Sequence, residues 1–439
     1  MPSRPQKPRR KRNQEIEDAL AIQSKNENNV ESETSEVCKF KSKCPGFPVL
    51  RTRVTETSRT VAIGDIHGDM DLLINILQNV ARVINGNGDW IGGDTIVVQV
   101  GDQNDSERGN DFNEGAHDLI IMEYFTRLHV MAQKKNGGVY SLFGNHEMMN
   151  MAGNTKYTTT ENQSLYYTPP TASELNTSHP QTIHELFKEK TTKQNQTVRS
   201  RSFTNVRSRS KNKNNKQSQK VSSRSKNKNK TNKHDGEWRQ FLACTRQGII
   251  IVGKWLFVHG GLSQEFVDQY QGIPGLASWN DYIRTWLLEC AQGEYNESTT
   301  HSAVPNKQKN ERVKSIPTEI QMSPFWDRAY GKIQSGLNGK DRENNLVCKK
   351  NDDIIKTYEL NGIIVGHTPQ AEGQTTTCGH TVIRIDTAMS DAFGKKDGSV
   401  ARRPQVLIIT PSGDEKTPDK IETHIMGDII VKVHNNGKK

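Results

Sequence analysis

The sequence predicts an α/β fold that carries its chemistry at strand ends, and three observations lead there. Three short apolar runs each stop at a glycine and a polar loop: Thr60 to Ile63 before GDIHGD (64–69), Thr95 to Val100 before GDQND (101–105), and Val139 to Phe143 before GNHE (144–147). Residues at helical spacing separate the first two runs, which makes them a β-α-β crossover. The half of the chain after residue 245 repeats the pattern, with short β-branched runs ending at His259-Gly260-Gly261 and at Gly366-His367-Thr368. Three junctions in register place a site along one edge of a sheet.

In chain order, residues 1–50 read as a basic, mostly disordered tail, charged and polar with PRRKR at 8–12 and little to bury. After the first strand, Asp69 is a natural N-cap for a helix carrying Met70, Leu72, Leu73, Ile76, Leu77, Val80, Val83 and Ile84. A second helix spans Phe112 to about Lys134 and ends at Gly137-Gly138. From about 168 to 235 the sequence turns to Thr, Ser, Asn, Gln and Lys, which predicts a disordered insertion in a single catalytic domain of residues 51–439. Strands Ile249 to Val252 and Trp255 to Val258 form a hairpin around Gly253-Lys254, and Tyr282 to Cys290 is amphipathic. A polar connector covers about 292–319, and strands at Gly362 to Val365, Thr381 to Asp386, Val406 to Thr410 and Asp428 to Val433 follow.

Charge is segregated. Residues 190–234 hold 15 Lys or Arg and no acid, and residues 1–12 add six bases; without those 21 the formal +10 becomes about −11. The Ser/Arg and Lys/Asn repeats suit non-specific contact with nucleic acid or another polyanion, and equally a solvated loop with no partner. Six scattered cysteines without a CxxC, in a chain too large to need staples, point to a reducing, intracellular and cytoplasmic setting, with PRRKR leaving the nucleus open. No apolar run is long enough for a membrane span, and no secretory signal follows the basic start. Oligomeric state is not set by the sequence.

The strand-end polar groups are Asp65, His67, Asp102, Asn145, His146, His259 and His367. Carboxylates, an amide oxygen and imidazoles together suit borderline divalent ions such as Mn, Fe or Zn, and there are enough of them for two ions. Each motif alone also reads as an ordinary turn, capped at Asp-x-His and left-handed at Gly-Asn-His-Glu. Joint occurrence decides, because five independent turns would not all set metal-ligand chemistry directly behind apolar strands.

GDIHGD, GDQND, GNHE, VHGGL (258–262) and GHTPQ (366–370) resemble the metallophosphoesterases of the calcineurin-like, phosphoprotein phosphatase superfamily. GNHEMMNM (144–151), SPFWDR (323–328), and GHTPQ followed by Cys378 and RIDTAMS (384–390) are similar to the Shewanella-like protein phosphatases. The resemblance implies two mixed β-sheets packed as a sandwich and flanked by helices, with a dimetal site at strand ends. It implies that Asp65, His67 and Asp102 hold one metal, and that Asp102 bridges to a second held by Asn145, His259 and His367. A metal-bridging hydroxide would attack phosphorus in line while His146, oriented by Asp105, protonates the leaving oxygen. Arg328 in SPFWDR would clamp phosphate oxygens. The family's other arginine follows Asp105 directly, whereas here Ser106 and Glu107 intervene before Arg108. Either Arg108 reaches the phosphate through a bulged loop, or Glu107 ties it up or another base replaces it. The implied activity is a phosphoprotein phosphatase. The alternatives are a phosphodiesterase or dinucleotide polyphosphate hydrolase on the same core, and a nucleic-acid-binding protein with a phosphatase-like scaffold.

Overall fold

The computed structural model describes residues 35–107, 117–159, 168–176, 234–292, 324–394, 398–414 and 417–434. A helix over 35–43 (α1) and the two-residue strand Arg53–Val54 (β1) come first. Strand Thr60–Ile63 (β2), helix Met70–Asn75 (α2) and strand Ile96–Gln99 (β3) make the expected crossover, with Val61 opposite Val97 in parallel pairing. Asp69 caps α2 by accepting from the Leu72 N–H. A π-helical turn, Ile76–Val80, continues α2 and keeps Ile76, Leu77 and Val80 buried. Helix Asp118–Gln133 (α3) leads to strand Gly138–Leu142 (β4), parallel to β3, and helix Asn145–Met151 (α4) starts where that strand ends.

Helix His234–Thr245 (α5) runs into strand Arg246–Gln247 (β5) and the hairpin of Ile249–Val252 (β6) with Trp255–Val258 (β7). Helices Gln264–Gln269 (α6), Gly272–Gln292 (α7), Ala329–Lys332 (α8), Gly339–Asn344 (α9) and Leu346–Tyr358 (α10) follow. Strands Gly362–Val365 (β8), Thr375–Thr377 (β9), Val382–Arg384 (β10), Gln405–Thr410 (β11), Lys420–Ile425 (β12) and Asp428–His434 (β13) complete the chain.

The strands form two mixed sheets, β13-β12-β11-β2-β3-β4-β5 and β1-β6-β7-β8-β10-β9. Alternation along each strand decides the layers. Ala62, Val98, Val100, Ile250, Phe257, Ile364, Ile383 and Leu407 fill the space between the sheets. Their neighbours Val61, Ile63, Val97 and Val139 pack under α2 and α3, while Ile249, Ile251, Val258 and Ile363 pack under α5, α7 and α10. Strands covered on both faces read as continuous apolar runs, which is why the sequence showed them clearly.

Three expectations need correction. Residues 35–50 belong to the folded body, not to a disordered tail: Phe40, Cys44 and Leu50 are buried, Lys43 Nζ lies 2.7 Å from Asp281, and Glu36 accepts from Thr52 N and Oγ1. Residues 168–176 are likewise ordered, with Arg127 Nη1 donating to Glu174 O at 3.0 Å. Four cysteines are paired, Cys44 with Cys244 across 200 residues and Cys348 with Cys378 across 30. Sequence distance hid both pairings, and the reducing compartment inferred from scattered cysteines in a chain too large to need staples loses its premise. Residues 1–34 and 177–233, where most of the tail and the basic insertion fall, lie outside the described residues. No helix among the described residues is long and apolar enough to cross a membrane.

Candidate active site

Five strand ends, three from one sheet and two from the other, converge. β2 delivers Asp65 and His67, β3 delivers Asp102 and Asp105, β4 delivers Asn145 and His146, β7 delivers His259, and β8 delivers His367. All eight side chains are buried. Close approach is possible because glycines precede them: a Cβ on Gly144 would fall on the Asp102 carboxylate, and one on Gly366 would fall on that of Asp65. The backbone is bent to aim them, since His67, Asp102, Asp105 and His367 all sit at positive φ, between 47° and 71°. Non-glycine residues adopt that region only where the surroundings hold them there.

Two groups of three ligand-type side chains result, His67 with Asp102 and His146, and Asp102 with His259 and His367, each with ligand atoms within 4.8 Å of one another. Asp102 is common to both. His67 Nε2 lies 3.8 Å from Asp102 Oδ2 and 4.0 Å from Asp65 Oδ2. His259 Nε2 lies 3.3 Å from Asp102 Oδ2 and 3.0 Å from Asn145 Oδ1. Second partners settle the tautomers. His67 Nδ1 meets Asn104 O at 3.1 Å and His259 Nδ1 meets Val100 O at 2.9 Å, so each donates there and turns Nε2 inward. His367 Nε2 is buried without a hydrogen-bond partner.

Electrostatics point the same way. Burial, with Asp386 and Asp102 nearby, pushes Asp65 well above the usual carboxylate range. Burial acts on Asp102 too, but the imidazoles of His259, His146 and His67 outweigh it and hold Asp102 well below that range. Burial and the neighbouring His259 push His367 down to about 3, so its ring is neutral and ligand-competent. The Nε2 atoms of His67 and His259 face carboxylate and amide oxygens at 3.0–4.0 Å, a mixed donor set that suits bound cations. The two clusters are positioned to coordinate two divalent ions, and the mixed oxygen and nitrogen donors suit Mn, Fe or Zn.

His146, grouped with His67 and Asp102 by proximity, differs in having a second carboxylate as partner. Its Nδ1 is 2.7 Å from Asp105 Oδ2, while Nε2 points into the site, 3.9 Å from Asp102 Oδ2. Arg328 is exposed beside the ligand cluster that contains His367, with Nη1 donating to His367 O at 2.9 Å. Arg108 lies outside the described residues.

Sequence reasoning passed over several supporting groups. Glu147 accepts from the backbone N–H of Asp102, Gln103 and Gly144 at 2.7–2.9 Å and so ties the β3 and β4 loops together. The buried Arg246, whose guanidinium burial pushes down to about 9, holds Gln103 Oε1 through Nε and Nη2. Glu147 stood inside a recognised motif and was findable; Arg246 lies 143 residues from its partner and carried no signal. Asp386, pushed up to about 6 by burial, and Phe393, edge-on to His67 at 5.1 Å, complete the surroundings.

Two mixed sheets sandwiched between helices, with His/Asp clusters sharing one carboxylate at their strand ends, define a metal-dependent phosphoester hydrolase. The family model described as calcineurin-like phosphoesterase matches residues 58–371, and the chain belongs to that family. Within it the chain is close to the Shewanella-like protein phosphatases. It is 25% identical over 362 residues to Shewanella-like protein phosphatase 2 of Arabidopsis thaliana, covering 82% of this chain and 77% of that protein. It is 34% identical over 109 residues to Shewanella-like protein phosphatase 1 of Plasmodium berghei, covering 25% and 28%. A solved structure described as a cold-active protein tyrosine phosphatase shares the fold, with a TM-score of 0.51 and 18% identity over 88% of this chain and 80% of that one.

Proposed function

We propose that this chain is a phosphoprotein phosphatase that hydrolyses phosphomonoesters. The observation that carries the reading is the hydrogen-bonded pair of His146 and Asp105 at the edge of the two cation-ready groups, which supports a role for His146 as proton donor to a departing ester oxygen. Asp65, His67 and Asp102 would hold one ion, and Asp102, Asn145, His259 and His367 the other. When bound, the ions supply Lewis acidity and lower the pKa of water. Arg328 binds phosphate oxygens through its planar guanidinium. Water oxygen bonds to phosphorus as the opposite P–O ester bond breaks, and the proton on His146 Nε2 passes to the leaving oxygen, giving phosphate and a free hydroxyl. Asp105, accepting from Nδ1–H, keeps the ring oriented with Nε2 toward the leaving oxygen. The relatives' names as protein phosphatases support a phosphorylated protein as substrate. The catalytic unit in this reading is one domain interrupted by the basic insertion.

The test is phosphate release from phosphopeptides with added Mn²⁺. Asp102→Asn should abolish nearly all turnover, and His146→Ala should lower kcat by about 100- to 10,000-fold. Equal inertness of wild type and both variants across phosphopeptides and nucleotides would refute the assignment; turnover of diesters alone would favour the phosphodiesterase alternative.

A further inference from the structure

We infer that Asn150 and Thr158 are positioning residues for the proton donor, acting through Asp105. The inference rests on the acid role proposed for His146 and extends it outward to side chains with no ligand chemistry of their own. The Asp105 carboxylate is held on both oxygens. Oδ2 faces His146 Nδ1 at 2.7 Å, while Oδ1 accepts from Asn150 Nδ2 at 2.8 Å and from Thr158 Oγ1 at 2.7 Å. A carboxylate held on one oxygen can swing about its terminal torsion, which is broad and soft. Held on both, it keeps Oδ2 aimed at the imidazole.

The two donors arrive from different directions. Asn150 sits one helical turn after His146 on α4, and its second N–H donates to His146 O at 3.0 Å, so it ties Asp105 to the turn that carries the ring. Thr158 comes from the segment that leaves α4. That segment is pinned back to the β3 loop by Glu107 N donating to Tyr157 O at 2.9 Å, and the Tyr157 ring meets His146 edge-on at 5.1 Å. Thr158 Oγ1 also lies 2.7 Å from Asn150 Oδ1. A hydroxyl has one proton, so it divides between the amide oxygen and the carboxylate, and the charged acceptor takes the stronger share. The network is closed around Asp105, which itself sits at φ 71° and gains its aim from these contacts.

A positioning role separates from a structural one by leaving group. Proton donation matters most when the departing oxygen is basic, so phenyl phosphate depends on it more than p-nitrophenyl phosphate, whose phenol is more acidic. With the Mn²⁺-loaded full chain, Thr158→Val and Asn150→Leu should each raise the ratio of kcat on p-nitrophenyl phosphate to kcat on phenyl phosphate by about 10-fold, at little change in KM. Thr158→Ser, which keeps the hydroxyl, should restore the wild-type ratio. His146→Ala serves as the reference and should raise the ratio furthest. If His146→Ala raises it and neither outer variant does, the positioning role is wrong while the acid role stands. A uniform loss on both substrates in the outer variants, or a Thr158→Ser that behaves as Thr158→Val, overturns it equally. A ratio unmoved in His146→Ala sinks the acid assignment, and this inference with it.

Discussion

His129 shows at the scale of one residue how burial in this fold becomes a dependence on pH. Its ring is packed inside α3 and edge-on to Tyr140 at 4.9 Å, with Nδ1 accepting from the Val139 N–H at 3.2 Å, a bond only the neutral ring can accept. Burial, aided by the Arg246 charge nearby, pushes its pKa down to about 4. The unfolded chain has an ordinary histidine near 6.5. Between those values the unfolded state binds a proton that the folded state refuses, so stability falls as pH falls. The contribution is fully present above about pH 6.5 and is lost progressively toward pH 4, at about 3 kcal/mol in total and about 2 kcal/mol by pH 5. Urea unfolding at pH 7.5 and pH 5 should show that loss in wild type and a shallower one in His129→Gln. Equal slopes in the two proteins would show that this imidazole does not set the dependence.

Among the elements, the clasp of α1 onto α5 and α7 makes the next prediction. Cys44 is joined to Cys244, Lys43 reaches Asp281 and Thr285, and the Arg284 guanidinium lies 4.6 Å over the Phe40 ring. A cross-link spanning 200 residues restricts the unfolded chain strongly, and losing it should cost about 2–4 kcal/mol. The double variant Cys44→Ser with Cys244→Ser should therefore unfold at lower denaturant while its kcat stays within about 2-fold of wild type, since no site residue is touched; an unmoved midpoint would show the bond to be thermodynamically idle. The clasp also shows where sequence reading stops. Strands that end at ligands were legible, because β-branched runs covered on both faces stop sharply at glycine. β12 and α10 were not, since one alternates within polar sequence and the other buries only a narrow stripe with Cys348, Ile354 and Tyr358. α1 was hidden because a few apolar side chains suffice to hold it in an otherwise charged stretch. The metal-type ligands announced themselves by residue type at strand ends. Asn150, Thr158 and Arg246 are ordinary residues whose meaning exists only after the fold places them, and the loop length before Arg108 departed from the family spacing that would have assigned it.

For the whole molecule, the densest run of basic residues falls in one stretch of sequence, and the packing among the described residues is made outside it. The outer faces of the two sheets are covered by α2 and α3 on one side and by α5, α7 and α10 on the other, all from outside residues 177–233. The described residues on either side are anchored independently, at Glu174 by Arg127 and at α5 by Trp238, Phe241 and Leu242 in the core. Deleting 177–233 therefore removes none of this packing, and loop closure changes only logarithmically with length. The shortened chain should keep its unfolding midpoint and hydrolyse p-nitrophenyl phosphate within about 2-fold of wild type. Its charge behaviour should change sharply, because the deletion takes out the run of 15 bases and leaves a much less basic chain. Affinity of the full chain for single-stranded RNA should fall steeply with salt as condensed counterions compete, whereas the shortened chain should bind weakly at every salt concentration. An unchanged salt slope after deletion would place the polyanion contacts elsewhere, and loss of p-nitrophenyl phosphate turnover would show that the insertion takes part in the catalytic domain.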